Sequence, residues 1–350
     1  MALLSSCTIE IDTWHKNSHT SRETSLLTGS KVPMQREAWA IAIHAGAGVI
    51  SKDSPKDKID GARAGLQEAL EKGRRMLASG ASGLDTVEAV ITILENNPRF
   101  NAGKGAVFTA EGHHELDSSI MDGATLGCGG VTGVRTVKNP IQLARKVMEE
   151  TRHVLLAHAG AEAFADTQPD IKRVAPDYFS TESRARSLEK WRKRQASLQT
   201  PSEFHAMASA EEAASWKSTV GCVVLDQGGN LVAGTSTGGM TGKRFGRIGD
   251  SPLIGAGTYA NNDTCAVSCT GTGEEYIRHN VARDISDRML YGNRSAKKAA
   301  SEVIFEVLQP DDGGVIVVGA DGSIVMVFNT GGMFRGAANA SGRFDIAIWE

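Results

Sequence analysis

Thr219 opens the segment Thr219-Val220-Gly221-Cys222-Val223-Val224-Leu225-Asp226, just after a charged, Ala/Ser-rich stretch. A threonine hydroxyl is a weak nucleophile without a base beside it, and one available base is its own α-amine once the peptide bond to Ser218 is cut. Self-cleavage is therefore the first chemistry to consider. Downstream, Thr235-Ser236-Thr237-Gly238-Gly239 reads as a strand running into a turn. Because neighbouring strands lie about 4.8 Å apart, Thr237 could stand beside Thr219 and polarise it. Taken alone it is an ordinary strand threonine. Arg247 and Asp250 follow between glycines. A guanidinium suits a carboxylate and an aspartate suits an ammonium, so the pair could hold both charged groups of one amino acid. A surface ion pair between the two is the blander reading, and the nearby threonines and glycines argue against it.

In Cys269-Thr270-Gly271-Thr272-Gly273-Glu274-Glu275, a hydroxyl and glycine amides lead into a helix. Such a nest binds anions, and in acyl transfer it serves as an oxyanion hole. A phosphate loop is the rival, but neither Gly-x-Gly-x-x-Gly nor Gly-x-x-x-x-Gly-Lys-Ser/Thr is completed. In Phe100-Asn101-Ala102-Gly103-Lys104-Gly105, the Asn101 amide could bond a nucleophile. The glycines there permit a tight loop near Asn101 and Gly103 whose carbonyls could face a structural sodium or potassium ion. His113-His114-x2-Asp117 invites a metal, but adjacent strand residues point to opposite sides, so no catalytic metal is expected.

The whole chain must be able to position these groups. Its 350 residues, 41% hydrophobic and 23% charged, suit one large core or two modest ones, and 39 glycines imply many turns and close backbone approaches. A formal charge of −3 provides no electrostatic case for nucleic acid or anionic lipid. The five cysteines include no Cys-x-x-Cys, and Cys265 and Cys269 read as small core residues. No apolar run reaches membrane-spanning length, and a reduced cytoplasm fits best. Residues 1–33 are polar and lack an apolar signal region. With Met34 just ahead of the first convincing strand, residues 1–37 are read as a disordered or mis-annotated N-terminal extension.

Apolar spacing predicts a strand over residues 38–44 and helices over 59–77, 84–94, 140–150, 154–165, 274–289 and 296–308. Short strands are expected around 105–108 and 119–121. Residues 166–218, with Arg184-Ala185-Arg186 and Lys190-Trp191-Arg192-Lys193-Arg194, read as a solvated linker that tolerates a break. Hairpins are expected at 220–237 and 315–328, around Gln227-Gly228-Gly229-Asn230 and Gly319-Ala320-Asp321-Gly322. Antiparallel sheets covered by segregated helices make an α+β fold.

Together these pieces resemble the plant-type asparaginase and isoaspartyl aminopeptidase family of N-terminal nucleophile (Ntn) hydrolases. The resemblance spans residues 38–350. It rests on His44-Ala45-Gly46-Ala47-Gly48, Phe100-Asn101-Ala102-Gly103, Leu116-Asp117-Ser118-Ser119-Ile120-Met121-Asp122-Gly123, Thr219-Val220-Gly221, Gly246-Arg247-Ile248-Gly249-Asp250, Thr270-Gly271 and Phe328-Asn329-Thr330-x2-Met333-Phe334-Arg335.

The resemblance implies a four-layer αββα sandwich in one Ntn-hydrolase domain, residues 38–350, cleaved before Thr219 into an α subunit ending at Ser218 and a β subunit of residues 219–350. Thr219 would be the nucleophile, Thr237 its assistant, and Thr270 with the Gly271 amide the oxyanion hole. Arg247 would bind the substrate α-carboxylate, Asp250 and Gly273 the α-ammonium, and Asn101 would steady Thr219. L-asparagine and β-aspartyl dipeptides would be the substrates, with no cofactor required and a homodimer of processed α/β units. Two positions depart from the family pattern. Ser218 replaces the usual glycine, and its Cβ would slow cleavage of a strained peptide. Ala45 replaces the first glycine of His-Gly-Gly-Ala-Gly, which would perturb that loop if positive φ is needed there. The rivals are a glycosylasparaginase, a threonine endopeptidase and an unprocessed, inactive binding protein.

Overall fold

Strand β1 (Ala40–Gly48) shows how the core is divided. Alternation directs Ile41 and Ile43 to one face, among helices, while Ala40 and Ala42 point to the other, among the residues of a second sheet. The computed structural model describes residues 37–197, 216–217 and 219–350. The expected N-terminal extension up to residue 36, the later part of the expected linker and Ser218 lie outside the described residues.

Helices α1 (Lys56–Ala78) and α2 (Gly83–Asn96) form where the apolar spacing places them. Ser82 starts α2, its hydroxyl accepting a bond from the Asp85 amide at 3.1 Å. Buried Leu66, Leu70, Val87, Ile91 and Leu94 cover the helix-facing side of the larger sheet. That sheet also contains β2 (Leu116–Asp122), β3 (Cys128–Val134), β4 (Leu155–Ala157), β5 (Trp216–Lys217), β6 (Val220–Leu225), β7 (Leu231–Thr237), β12 (Gly332–Asn339) and β13 (Phe344–Ala347). Its order is β13-β12-β1-β6-β7-β2-β3-β4, with β5 added to β1. Helix α3 (Pro140–Glu150) packs on β2 and β3.

The second sheet, β11-β10-β9-β8, comprises β8 (Thr258–Ala260), β9 (Cys265–Gly271), β10 (Gly313–Gly319) and β11 (Ile324–Phe328). Strand β9 crosses β6 and β7, and β10 crosses β1 and β6, so the sheets face each other. Buried Val223, Leu225, Ala266, Ile316 and Val318 fill the space between them. Past α6 (Gly273–His279), helices α7 (Val281–Leu290) and α8 (Ala296–Glu302) cover the smaller sheet. The fold is α+β.

Several expectations are corrected. The helix expected over 154–165 begins instead with β4, whose Leu155 and Leu156 pair in parallel with Gly130 and Val131 of β3, and helix α4 (His158–Asp166) follows. A short apolar run suits either state, and here an unpaired strand edge captures it. The helix expected over 274–289 divides into α6 and α7 at Asn280, whose φ of 51° is left-handed. The helix expected to end near residue 308 leaves α8 for a π-helical turn, Val303–Val307. Residues 105–108 form no strand.

The expected linker also contains structure. Residues 176–179 form a 3₁₀ turn with Phe179 buried, and Glu182–Ala196 forms helix α5. Arg184 Nε donates to the Gly105 carbonyl at 2.7 Å and an Arg192 guanidinium nitrogen to that of Ala110 at 2.7 Å, so α5 docks on the loop after α2. Its charged composition hides this docking because most of the helix remains exposed. Truncating Leu94 to Ala removes a fully buried contact between α2 and the sheet. It is expected to cost about 2–5 kcal/mol, read as a lowered thermal midpoint.

Candidate active site

The pairing of β6 with β7 places Val220 opposite Ser236, so the next residues outward are Thr219 and Thr237. Thr219 Oγ1 donates to Thr237 Oγ1 at 3.1 Å, and the Gly239 amide donates to the same Thr237 oxygen at 3.0 Å. Two donors thus converge on Thr237, and the bond from Thr219 draws its proton away from Oγ1. The Gly238-Gly239 turn is held by Asn101, whose Nδ2 donates to the Gly239 carbonyl at 2.7 Å while Oδ1 accepts from the Val107 amide at 2.8 Å. Asn101 therefore reaches Thr219 through the turn that presents Thr237, not by bonding Thr219 itself.

From that turn the chain leads to the charged pair. Arg247 does not bond Asp250; its Nε and Nη2 donate to the two Glu274 oxygens at 2.8 and 2.7 Å. Burial works against the Glu274 carboxylate, but the Arg247 bonds outweigh it and hold its pKa below the usual range. The Arg247 Nη1 edge lies toward Gly239 and Gly249. Asp250 is buried, and its Oδ2 has no hydrogen-bond partner among the described residues. Burial pushes its pKa up to about 7, against the pull of Arg247. At Gly273, which opens α6, a Cβ would come 2.8 Å from Arg247 Nη2 and 3.0 Å from Asp250 Oδ1. Only glycine leaves space between the helix start and the two charges.

Thr270 is buried at the end of β9, where it pairs with Gly314, while Gly271 pairs with Gly313. Alternation puts Thr270 on the same face of β9 as Ser268, whose hydroxyl bonds His44 Nε2 at 2.9 Å. His44 Nδ1 in turn lies 3.0 Å from the Thr219 carbonyl oxygen. Lys243 is buried beneath the turn, donating to the Glu115 carbonyl at 2.8 Å with Asp117 Oδ2 at 3.9 Å. Burial raises the Asp117 pKa and Lys243 opposes the shift. Glu274, His44, Ser268 and Lys243 are site neighbours that spacing did not single out. Glu274 was visible as the first acid after the glycine nest, and His44 as the one titratable group in its motif.

His113 and His114 lie in the loop before β2, not on a strand. His114 bonds the Val107 carbonyl and the Ser180 hydroxyl, each at 3.0 Å, and packs on Phe108. Among the described residues no group of three or more His, Cys, Asp or Glu is arranged to hold a metal ion. Positive φ in the His44–Gly48 motif falls on Gly46 and Gly48, not on Ala45. The alanine is accommodated without backbone strain.

Residues 37–348 match the family model described as Asparaginase. The chain belongs to the asparaginase family. Among similar proteins, "Probable isoaspartyl peptidase/L-asparaginase 2" of Arabidopsis thaliana is 44% identical over 326 residues, covering 89% of this chain and 99% of the relative. "Isoaspartyl peptidase" of Escherichia coli K12 is 46% identical over 299 residues, 84% of this chain and 91% of that protein. "Plant-type L-asparaginase" of Pyrococcus furiosus is 43% identical over 298 residues, 83% and 93%. This asparaginase-family chain is a hydrolase, and among the described residues no helix is long and apolar enough to cross a membrane.

The raised pKa of Asp250 predicts a stability signature in this asparaginase-family hydrolase. Between its unfolded value of about 3.9 and its folded value of about 7, the native state keeps a proton that the unfolded chain has lost. Stability therefore falls as pH rises through that window, and the full penalty applies above it. Asp250→Asn is expected to raise the thermal midpoint at pH 8, with the gain shrinking toward pH 4, while kcat/KM falls about 10²-fold. A gain independent of pH would refute this account of the carboxyl.

Proposed function

We propose that the chain cleaves itself between Ser218 and Thr219 and then hydrolyses the side-chain amide of L-asparagine and the isopeptide bond of β-aspartyl dipeptides. The observation that carries this reading is the 3.1 Å bond from Thr219 Oγ1 to Thr237 Oγ1 at the open end of two paired strands, with Arg247 and Asp250 beyond the same turn. The names of the Arabidopsis, E. coli and Pyrococcus relatives point to the same two substrates.

In the proposed reaction, the substrate α-carboxylate meets Arg247, and its α-ammonium meets the Asp250 oxygen that has no partner among the described residues, beside Gly273. Glu274 holds the guanidinium in place. Thr219 Oγ1 attacks the side-chain carbonyl and its proton passes to the freed α-amine, whose unperturbed pKa of about 7.7–8.0 suits transfer near neutrality. The carbonyl oxygen gains negative charge, stabilised by the Thr270 hydroxyl and the Gly271 amide. When the C–N bond breaks, the proton leaves with ammonia or with the amine of the released peptide fragment. Water then attacks the β-aspartyl ester, releasing aspartate and restoring the threonine. Because the acyl-enzyme is the same for both substrates, one clamp serves both.

The same reading makes the facing sheets and their helices a four-layer αββα sandwich within one domain, residues 38–350. It describes a cytoplasmic enzyme that assembles as a dimer of processed α/β units and requires no cofactor. A structural sodium or potassium ion suits the loop after α2. A Cβ on Gly103 would lie 2.5 Å from the Glu95 carbonyl, and one on Gly105 would overlap that of Pro98, with the Phe100 carbonyl 2.8 Å away. Carbonyls crowding a glycine cradle are the donor set of a hard monovalent cation, whose charge would stiffen the loop carrying Asn101.

Thr219→Ala tests the proposal. The variant is expected to remain one chain on a denaturing gel and to lose turnover of asparagine and β-Asp-Leu, while wild type resolves into two fragments divided at Ser218/Thr219. A processed, active Thr219→Ala protein would refute the proposal.

A further inference from the structure

Thr219 stands where strand pairing lapses. On one side, β1 pairs with β6 as far as His44 opposite Gly221, and pairing resumes only at Ala47 opposite Lys217 of β5. Between those rungs the Thr219 carbonyl is met not by a backbone amide but by the His44 imidazole, with Nδ1 at 3.0 Å. A carbonyl oxygen can only accept, so Nδ1 carries the proton. Burial, partly offset by this bond, lowers the His44 pKa to about 3, so the ring is neutral near pH 7 and Nε2 is an acceptor.

The remaining directions follow one by one. Ser268 Oγ, 2.9 Å from Nε2, must give its proton to the ring. It therefore accepts from Thr235 Oγ1 at 2.7 Å, which in turn accepts from Thr258 Oγ1 at 2.6 Å. Ser119 closes the far end, its hydroxyl shared between Thr258 Oγ1 at 2.9 Å and the Ser251 carbonyl at 2.7 Å. All five side chains are buried, and Ser268 and Thr258 come from the smaller sheet while His44, Thr235 and Ser119 come from the larger. A Cβ on Gly221 would overlap both Ser268 Oγ and His44 Nε2, so the glycine two residues after Thr219 makes the crossing possible.

We infer that His44 is a positioning residue for the nucleophile, held in its Nδ1–H form by the Ser268-Thr235-Thr258 hydroxyl chain. The inference rests on Thr219 being the nucleophile. A chain terminus frays unless it is tied down, and cleavage before Thr219 would leave its peptide plane free to rotate. The His44 bond fixes that plane, and with it the directions of Oγ1 toward Thr237 and of the α-amine toward Oγ1. Each hydroxyl donates along the chain toward Thr219, so the bonds polarise one another.

Two substitutions separate positioning from bulk stability. His44→Asn keeps an N–H near the Nδ1 position, whereas His44→Gln places its amide near Nε2 and removes the donor to Thr219. Both are expected to lower the thermal midpoint. The Asn variant should keep kcat within a few-fold of wild type, and the Gln variant should lose about 10²-fold in kcat at unchanged KM, as a displaced nucleophile does. The acid limb of the kcat/KM profile should move in the Gln variant alone. Equal losses in the two variants that track stability, or wild-type kcat in both, would overturn the inference. Where neither variant matures, Ser268→Ala decides: a fall of about 10-fold in kcat with KM held supports positioning through the ring, and wild-type kcat overturns it. Wild-type enzyme assayed in parallel on asparagine separates the questions, since an inactive wild type refutes the proposed function and not this contact alone.

Discussion

The site depends on the close approach of two sheets at one point, where β9 crosses β6 beside Gly221. Elsewhere the sheets are separated by Val223, Leu225, Ile316 and Val318, whose burial supplies the ordinary apolar driving force. At Gly221 the missing side chain lets an imidazole and a hydroxyl occupy the gap, and polar groups replace apolar ones. Buried polar groups are costly when unpaired, so every member of the His44-Ser268-Thr235-Thr258 set has to be matched. The match is made only when both sheets are in register, which ties the placement of Thr219 to completion of the whole core.

The charged half of the site works on a different principle. Arg247, Glu274, Asp250, Asp117 and Lys243 lie under or beside the turn after β7, where partial exclusion of water strengthens every charge interaction. Arg247 is held by Glu274 in a fork, so its orientation is set within the protein. Asp250 is the opposite case, a buried carboxyl with an oxygen that none of the described residues satisfies. Its pKa near 7 measures the cost of keeping it there, and an ammonium group would relieve that cost. The protein bears this instability at the position proposed to meet the substrate ammonium, as functional sites often do.

Much of this was legible in the chain. Helical spacing located α1, α2 and α3 to within a few residues, because their apolar faces are long, with Ser82 capping α2 and Pro140 at the first turn of α3. The hairpin of β6 and β7 was legible from its turn, and with it the neighbourhood of Thr219 and Thr237. Short elements were not. Leu155–Ala157 reads as helix until β3 offers an edge, and Asn280 breaks a helix that periodicity alone would continue. Helix α5 was hidden by charge, since it docks through Arg184 and Arg192 on backbone carbonyls and buries only Leu188, with the Trp191 ring against Gly242, too few apolar residues to make a stripe.

The sequence by itself determined which chemical groups are present and their local frames: a threonine before a strand, a glycine turn after its neighbour, and an arginine, an aspartate and a glycine nest in order. Local spacing settles these because turns and strand alternation involve only a few residues. Partner choice was decided by tertiary structure alone. Arg247 pairs with Glu274 and not with Asp250, Asn101 braces the turn and not Thr219, and His44 reaches across both sheets to the Thr219 carbonyl. Those contacts join residues far apart in the chain, and their geometry exists only once the two sheets have packed.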